Sequence, residues 1–232
     1  LKDKCTGCTL CLNVCPFAAI SMKEKKAVID PDKCTLCGAC VDSCKFGAIE
    51  LKRSTSKTLD IEHYKGIWVF GEQKRGKIQP VVFELLGKAQ ELAKKLKTDV
   101  TCVILGSGIK EKAETLIHRG ADKVIVVDDP KLEHFLDEPY TKVLVQLIRK
   151  YRPSIFLCGA TVLGRSLISR VAVKIHTGLT ADCTALDVDP KEGFLLQTRP
   201  AFGGNIMATI LSKNHRPQMA TVRHKVFKES EP

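Results

Sequence analysis

The chain has 232 residues, 44% hydrophobic and 27% charged, with 37 Lys and Arg against 26 Asp and Glu. That length and composition suit one or two ordinary globular domains, and no apolar run approaches the eighteen or so residues that a membrane-spanning helix needs. The formal charge of +11 invites a polyanionic partner, but the cations are interspersed with acids, as in KEKK at residues 23–26. Few aromatics lie between them, so solvated faces are expected and nucleic acid is not.

Within the first fifty residues, Cys5, Cys8, Cys11 and Cys15 read C-x2-C-x2-C-x3-C before Pro16, and Cys34, Cys37, Cys40 and Cys44 repeat that spacing before Lys45. The flanks repeat as well: Lys4, Thr6, Phe17, Ala19 and Ile20 return 29 positions on as Lys33, Thr35, Phe46, Ala48 and Ile49. Such a run wraps three thiolates around one iron–sulfur cluster, while its fourth cysteine ligates the other cluster in two-cluster ferredoxins. The expected sets are Cys5, Cys8, Cys11 and Cys44 around one 4Fe-4S cluster, and Cys34, Cys37, Cys40 and Cys15 around a second. A pair of tetrahedral zinc sites needs no third cysteine in each run, and a disulfide framework suits a small secreted chain; neither accounts for the doubled pattern. Bound cysteines are thiolates, so two clusters bring the net charge down to about +7. Oxygen-sensitive clusters and unpaired thiols point to a reducing, cytoplasmic setting. No signal peptide is visible, and a start at Leu1 leaves room for a missing N-terminal piece.

Residues 1–50 resemble the bacterial-type two-cluster ferredoxins, which implies an α+β ferredoxin-like domain, placed here at 1–56. Lys45 stands where that family usually has proline. An ammonium there is expected to favour the reduced, more negative cluster and raise its potential. The unit is too small to hold itself by apolar burial, so the clusters are expected to serve as its core. Val28 and Ile29 read as a strand ending at a turn around Pro31, and residues 48–51 (AIEL) echo it. The polar stretch 52–60 marks a connector, and a linker is placed at 57–65.

From residue 66 the pattern changes to short apolar runs alternating with helical periodicity, the mark of a mostly parallel sheet covered by helices. Strands are expected at 66–70 (GIWVF), 100–105, 123–127 and 155–158, the third buried by its run of valine and isoleucine. Between them, Pro80 opens a helix with Val82, Leu85, Leu86, Ala89, Leu92, Ala93 and Leu96 on one stripe, its lysines at the negative end of the dipole. Further helices are expected at 110–119, stopped by Gly120, at 140–151 before Pro153, and at 163–176. From Leu179 the style becomes antiparallel, with strands in LTADCTALDVD, FLLQTRP, NIMATIL and MATVRHKVF and turns at Asp189–Pro190, Gly203–Gly204 and His215–Pro217. The α/β domain is therefore placed at 66–227, with a mostly parallel sheet and an antiparallel C-terminal part. Residues 228–232 (KESEP) are read as a hinge or tail.

Gly106-Ser107-Gly108 follows a strand and precedes a helix, where phosphates bind in doubly wound sheets. It lacks the third glycine of the dinucleotide fingerprint and reads as a tight turn, with nucleotide binding as the lesser alternative. Cys102, Cys158 and Cys183 read as buried small hydrophobes. The six histidines share no ligand spacing and read as packing or surface residues. The loop from Thr198 to Asn205 sets one arginine, one aromatic and a glycine pair at a bend, where bare backbone can approach a flat ligand; by composition alone it is a structural turn.

KGIWVFGEQ, GADKVIVVDDP, EPYTKVL, GATVLGRSL, HTGLTADCT, LLQTRPAFGGNIMATI and RPQMATVR, in that order, resemble the N-terminal domain of the alpha subunit of electron-transfer flavoproteins, especially the electron-bifurcating group. The resemblance covers about residues 65–227. It implies a beta subunit that supplies most of the FAD site at the shared interface, with Arg199 facing the isoalloxazine ring and Phe202, Gly203 and Asn205 beside it. It also implies an acyl-CoA or 2-hydroxyacid dehydrogenase as partner and an external ferredoxin as the low-potential acceptor, with the N-terminal clusters as the wire towards it. In that family the alpha subunit continues into a second FAD-binding domain; the sequence stops where that domain begins, so the second FAD is not assigned to these residues. The function implied is electron transfer within a complex that couples NADH oxidation to reduction of ferredoxin and of a high-potential acceptor, with catalysis belonging to the assembly. The alternative is a relay and docking module that passes single electrons between a dehydrogenase and ferredoxin without bifurcation.

Overall fold

A computed structural model describes residues 1–31, 33–34, 37–51 and 61–231; the connector expected at 52–60 lies outside them. The chain divides into two units, Leu1–Lys57 and Thr58–Pro232.

In the first unit, repeated sequence folds into repeated local structure. Helices α1 (Leu10–Asn13) and α2 (Ala39–Asp42) each start after a left-handed residue, Thr9 at φ 63° and Gly38 at φ 89°. The N–H of Cys15 donates to the Leu12 carbonyl and that of Cys44 to the Val41 carbonyl, one helical turn back in each copy. Strands β1 (Ile20–Lys23) and β2 (Lys26–Ile29) form an antiparallel hairpin with Ile20 opposite Ile29. Its turn residues, Glu24 and Lys25, both take positive φ, as a twist-matched two-residue turn requires. The strand expected at 48–51 does not form: the first copy folds back on itself, whereas no described strand pairs with these residues. Among the described residues of this unit only Cys11, Ala19 and Ala48 are buried.

The second unit is a six-stranded sheet in which every pairing is parallel. In chain order its elements are β3 (Ile67–Phe70), a small hairpin of β4 (Gln73–Lys74) and β5 (Lys77–Ile78), α3 (Pro80–Leu96), β6 (Val100–Gly106), α4 (Lys112–His118), β7 (Lys123–Asp128), α5 (Asp137–Tyr151), β8 (Ile155–Gly159), α6 (Val162–Ile175) and β9 (Leu179–Cys183). There follow β10 (Ala185–Val188), β11 (Leu195–Ala201), β12 (Ile206–Ile210) and β13 (Gln218–Val222). The sheet order is β7-β6-β3-β8-β13-β9, and β10-β11-β12 make a separate antiparallel sheet. Alternation along the strands sends side chains to two apolar layers. Ile67, Val69, Cys102, Ile104, Ile155, Leu157, Ala220 and Val222 join α3 on one face. Trp68, Phe70, Val103, Leu105, Phe156, Cys158 and Met219 join α5 and α6 on the other.

Helix α3 forms as the stripe predicts: Pro80 opens it, and Val82, Leu85, Leu86, Ala89, Leu92 and Ala93 are buried. Two expectations change. Strand β7 is not fully buried; it lies at the sheet edge, with Val124 and Val126 packing on one layer and Ile125 and Val127 on the other. The segments LTADC and MATV are not antiparallel. β13 returns from the antiparallel arm and inserts between β8 and β9, parallel to both, and all five of its residues are buried, as an inner parallel strand requires.

The end of the chain, expected as a hinge or tail, packs on α3. Glu84, 4% exposed, accepts the N–H groups of Lys225, Val226 and Phe227 at 2.9, 3.1 and 3.3 Å. Arg119 donates to the Ser230 carbonyl at 2.6 Å, and the Ser230 N–H donates to the Phe83 carbonyl. Gly87 permits this approach, since a Cβ there would lie 3.1 Å from the Lys228 carbonyl oxygen. No helix among the described residues is long and apolar enough to cross a membrane.

Candidate functional site

Cys5, Cys8, Cys11 and Cys44 line one cavity of the first unit, together with Met22, Ala27, Phe46, Ala48 and Ile49. Cys15, Cys34, Cys37 and Cys40 line another, with Phe17, Ala19, Ile20, Ile29 and Ile49. Each wall thus takes three cysteines from one copy and the fourth from the other. The fourth arrives because the short helix that holds the third cysteine carries the chain away from its own loop, a job α1, with Cys11, and α2, with Cys40, perform alike. All eight thiols are unpaired, and among the described residues no three His, Cys, Asp or Glu side chains converge on a single-ion position. The histidines join no such group. The cysteines surround a space instead of a point.

Local electrostatics suit thiolates. The N–H of Ala19 donates to Cys15 Sγ and that of Ala48 to Cys44 Sγ, both at 3.3 Å, and N–H groups led by Ala48 and Phe46 hold the Cys44 pKa below the ordinary thiol value. The N–H groups of Ala27 and Gly7 do the same for Cys5. Burial pushes Cys11 and Cys40 up, a cost that coordination to iron would offset. Phe17 and Phe46, counterparts in the repeat, stand at the two cavities with 47% and 48% of their surface exposed. Apolar walls, eight thiols and N–H donors to sulfur fit two cuboidal iron–sulfur clusters. The wall residue Met22 escaped the sequence reading, whereas the repeat itself pointed to the two phenylalanines and to Ile49.

The second expected site lies on the antiparallel sheet. Arg199 pairs with Ala208 across β11 and β12, and on the other side of β11 its neighbour Thr198 pairs with Ala185 and accepts the Thr184 N–H at its carbonyl. By alternation, Ile206 and Ile210 share the Arg199 face, and they are 54% and 38% exposed. Among the described residues the Arg199 guanidinium bonds to no carboxylate; its Nε donates a long 3.5 Å bond to the Pro200 carbonyl. Phe202 is 81% exposed at φ 48°, with Gly203 at 69° and Gly204 at 96°. The glycines serve these left-handed angles, for a Cβ at either would meet nothing within 4 Å. Asn205 closes the bend, exposed. Gln197, two residues before Arg199 on the same strand, is fully buried, and its amide atoms find no partner among the described residues. An arginine with no carboxylate partner among the described residues, an exposed aromatic and a bare glycine backbone fit a flat, electron-accepting heterocycle, which a second surface would have to cover.

Other candidates resolve differently. The Gly106–Gly108 turn offers N–H groups to an anion, but the chain's own Asp128 takes them, at 2.8 Å from Gly108 and 3.1 Å from Ile109. Those bonds, Gly108 first, hold the Asp128 carboxyl below its usual range, so a phosphate would have to displace a carboxylate. Asp128 ends β7, and only the tertiary turn reveals its role. Cys102, Cys158 and Cys183 are fully buried, and burial pushes all three thiols up, Cys183 to about 11. The switch point between β3 and β8 opens a crevice lined by Glu72, Arg75, His134 and Thr161. There Thr161 donates to Glu72 at 2.6 Å, and burial raises the Glu72 pKa against that bond.

Comparison with known protein families matches residues 67–232 to the electron transfer flavoprotein domain and residues 4–48 to the 4Fe-4S dicluster domain. An electron transfer flavoprotein subunit alpha of Clostridium acetobutylicum is 50% identical over 166 residues, 72% of this chain and 49% of that protein. The lactate dehydrogenase (NAD(+),ferredoxin) subunit LctC of Acetobacterium woodii is 52% identical over 169 residues, 73% of this chain and 40% of that protein. The acryloyl-CoA reductase electron transfer subunit beta of Anaerotignum propionicum is 41% identical over 194 residues, 74% and 53% of the two. The chain spans about half the length of the curated relatives it matches.

Proposed function

Because the chain belongs to the electron transfer flavoprotein family, with a 4Fe-4S dicluster domain ahead of the family domain, we propose that it is an electron-transfer subunit of a flavin-based bifurcating complex. The carrying observation is the exchange of the fourth cysteine between copies, which lines each of two cavities with four thiols on a chain that also holds an arginine with no carboxylate partner among the described residues, beside exposed apolar ones. Cys5, Cys8, Cys11 and Cys44 would hold one cluster, and Cys34, Cys37, Cys40 and Cys15 the other. Arg199, Phe202, Gly203 and Asn205 would meet a FAD bound chiefly by a beta subunit. When bound, these groups supply single-electron and hydride chemistry.

This chain's residues orient and bias that chemistry. Arg199 presents a fixed positive charge that favours electron density on a neighbouring ring, and Phe202 with Ile206 and Ile210 would exclude water there. The N–H donors at Cys15 and Cys44 stabilise thiolate charge. Apolar walls beside the cysteines would limit water at bound clusters, whose potential depends on hydrogen bonding and exposure.

The complex would oxidise NADH and send one electron to ferredoxin through the N-terminal clusters and one to a partner dehydrogenase. The names of two relatives support a dehydrogenase of the 2-hydroxyacid or acyl-CoA type: one is a lactate dehydrogenase subunit with NAD(+) and ferredoxin in its name, the other an acryloyl-CoA reductase subunit. The test is NADH-dependent ferredoxin reduction by the anaerobically purified complex, with and without enoyl-CoA or 2-hydroxyacid-pathway acceptors. Reduction that requires the acceptor supports coupling; equal reduction without it, or none from NADH, leaves a simple relay.

A further inference from the structure

The two cysteine cavities are related by the repeat but differ in charge. Lys2 lines the cavity of Cys5, Cys8, Cys11 and Cys44, and the half-buried Lys26 donates from Nζ to the Cys5 carbonyl at 2.6 Å. Lys45 follows Cys44 directly. In the repeat, Lys2 corresponds to Pro31 and Lys45 to Pro16. The cavity of Cys15, Cys34, Cys37 and Cys40 carries Glu50 instead, where the other copy has Ser21. Among the described residues no lysine or arginine lines that second cavity. Lys33, beside Cys34, is matched by Lys4 beside Cys5 and is ion-paired with Asp30 at 3.8 Å. The differences point one way, with cations added at the first cavity and an anion at the second.

Reduction adds one negative charge to a cluster, and local charge and hydrogen bonds to sulfur tune its potential. A nearby ammonium favours the added electron, and a carboxylate opposes it. Lys26 weighs most, because a half-buried charge is screened less than an exposed one. Ile49 lines both cavities, so one side chain belongs to the wall of each.

We propose that the two clusters are unequal: the one held by Cys5, Cys8, Cys11 and Cys44 takes the first electron, and the one held by Cys34, Cys37, Cys40 and Cys15 is the lower-potential site. Electrons entering the domain run from the second site and rest at the first. This rests on the ligand sets proposed above.

The test is a potentiometric titration of the anaerobically purified full-length protein with dithionite, which supplies one electron to each cluster, followed by electron paramagnetic resonance. Iron and acid-labile sulfide are counted on the same sample. About eight of each per chain, with spin coupling on full reduction, would bear out the ligand sets. The expected titration has two waves at least tenfold apart in equilibrium constant, about 59 mV for a one-electron step. Lys26→Gln and, on the open surface, Lys45→Gln lower only the upper wave, and Glu50→Gln raises only the lower one. With full iron content, a single wave, or a Glu50→Gln effect on the upper wave, overturns the inequality while leaving the ligand sets standing. A count of about four irons overturns both.

Discussion

The two units solve the same problem by different means. The α/β unit buries two continuous apolar layers, with Phe70, Phe156, Leu85, Leu92 and Leu144 almost wholly withdrawn from solvent, and each such side chain contributes about 1.5–3 kcal/mol. The cysteine-rich unit buries only Cys11, Ala19 and Ala48 among its described residues, too little to offset chain entropy. Its centre is two thiol-lined spaces. One unit is held by its own side chains, and the other by what its side chains can bind, so stability and function are separable in the first case and inseparable in the second.

The largest expected effect breaks the comparison outright. Chelation of iron under mild oxidant should unfold the first unit and spare the second, because metal affinity is folding free energy where no apolar core exists. Amide signals of residues 1–51 should collapse in a heteronuclear NMR spectrum, while those of the six-stranded sheet persist. Dispersed signals from the iron-free first unit would show that burial suffices there.

Within the second unit, Glu84→Ala strips the acceptor from three backbone N–H groups. It should cost about 2–3 kcal/mol in urea unfolding, and hydrogen exchange should quicken at residues 225–227. Unchanged exchange there would mean that the apolar contacts of Val226 and Phe227 hold the segment without the carboxylate. Arg199→Ala should move stability by no more than about 0.5 kcal/mol yet slow NADH-driven ferredoxin reduction at least about tenfold; equal rates would make the antiparallel sheet structural only. The smallest effect concerns acid. Asp128 has its pKa lowered by the Gly108 and Ile109 N–H groups, so its stabilisation is present above the ordinary carboxyl value and lost as pH falls through the lowered one. Asp128→Asn should therefore flatten the loss of stability below about pH 4, measured by thermal melts across an acid series.

Much of the candidate cluster site was legible because cluster chemistry dictates cysteine spacing, and the repeat even indicated Phe17 and Phe46 as counterparts. Helix α3 was legible because its stripe is periodic. Residues whose partners are distant in sequence were not. Glu84 gave one weak signal, a charge inside an apolar stripe, but nothing said that residues 225–227 would meet it. MATV reads equally well as an antiparallel strand, since a short apolar run does not announce its neighbours' direction. The edge position of β7 was hidden in the same way.

By itself, the sequence determined the thiol inventory, its doubled spacing, the alternation of strand and helix and the family, because these follow from local chemistry and periodicity. Only the tertiary structure decided that β13 enters the parallel sheet, that Asp128 fills the glycine turn, that residues 225–230 are pinned on α3 and that Arg199 bonds to no carboxylate among the described residues. Each of these depends on contacts across many residues of chain, where the free energy of burial and pairing, not local preference, selects the partner.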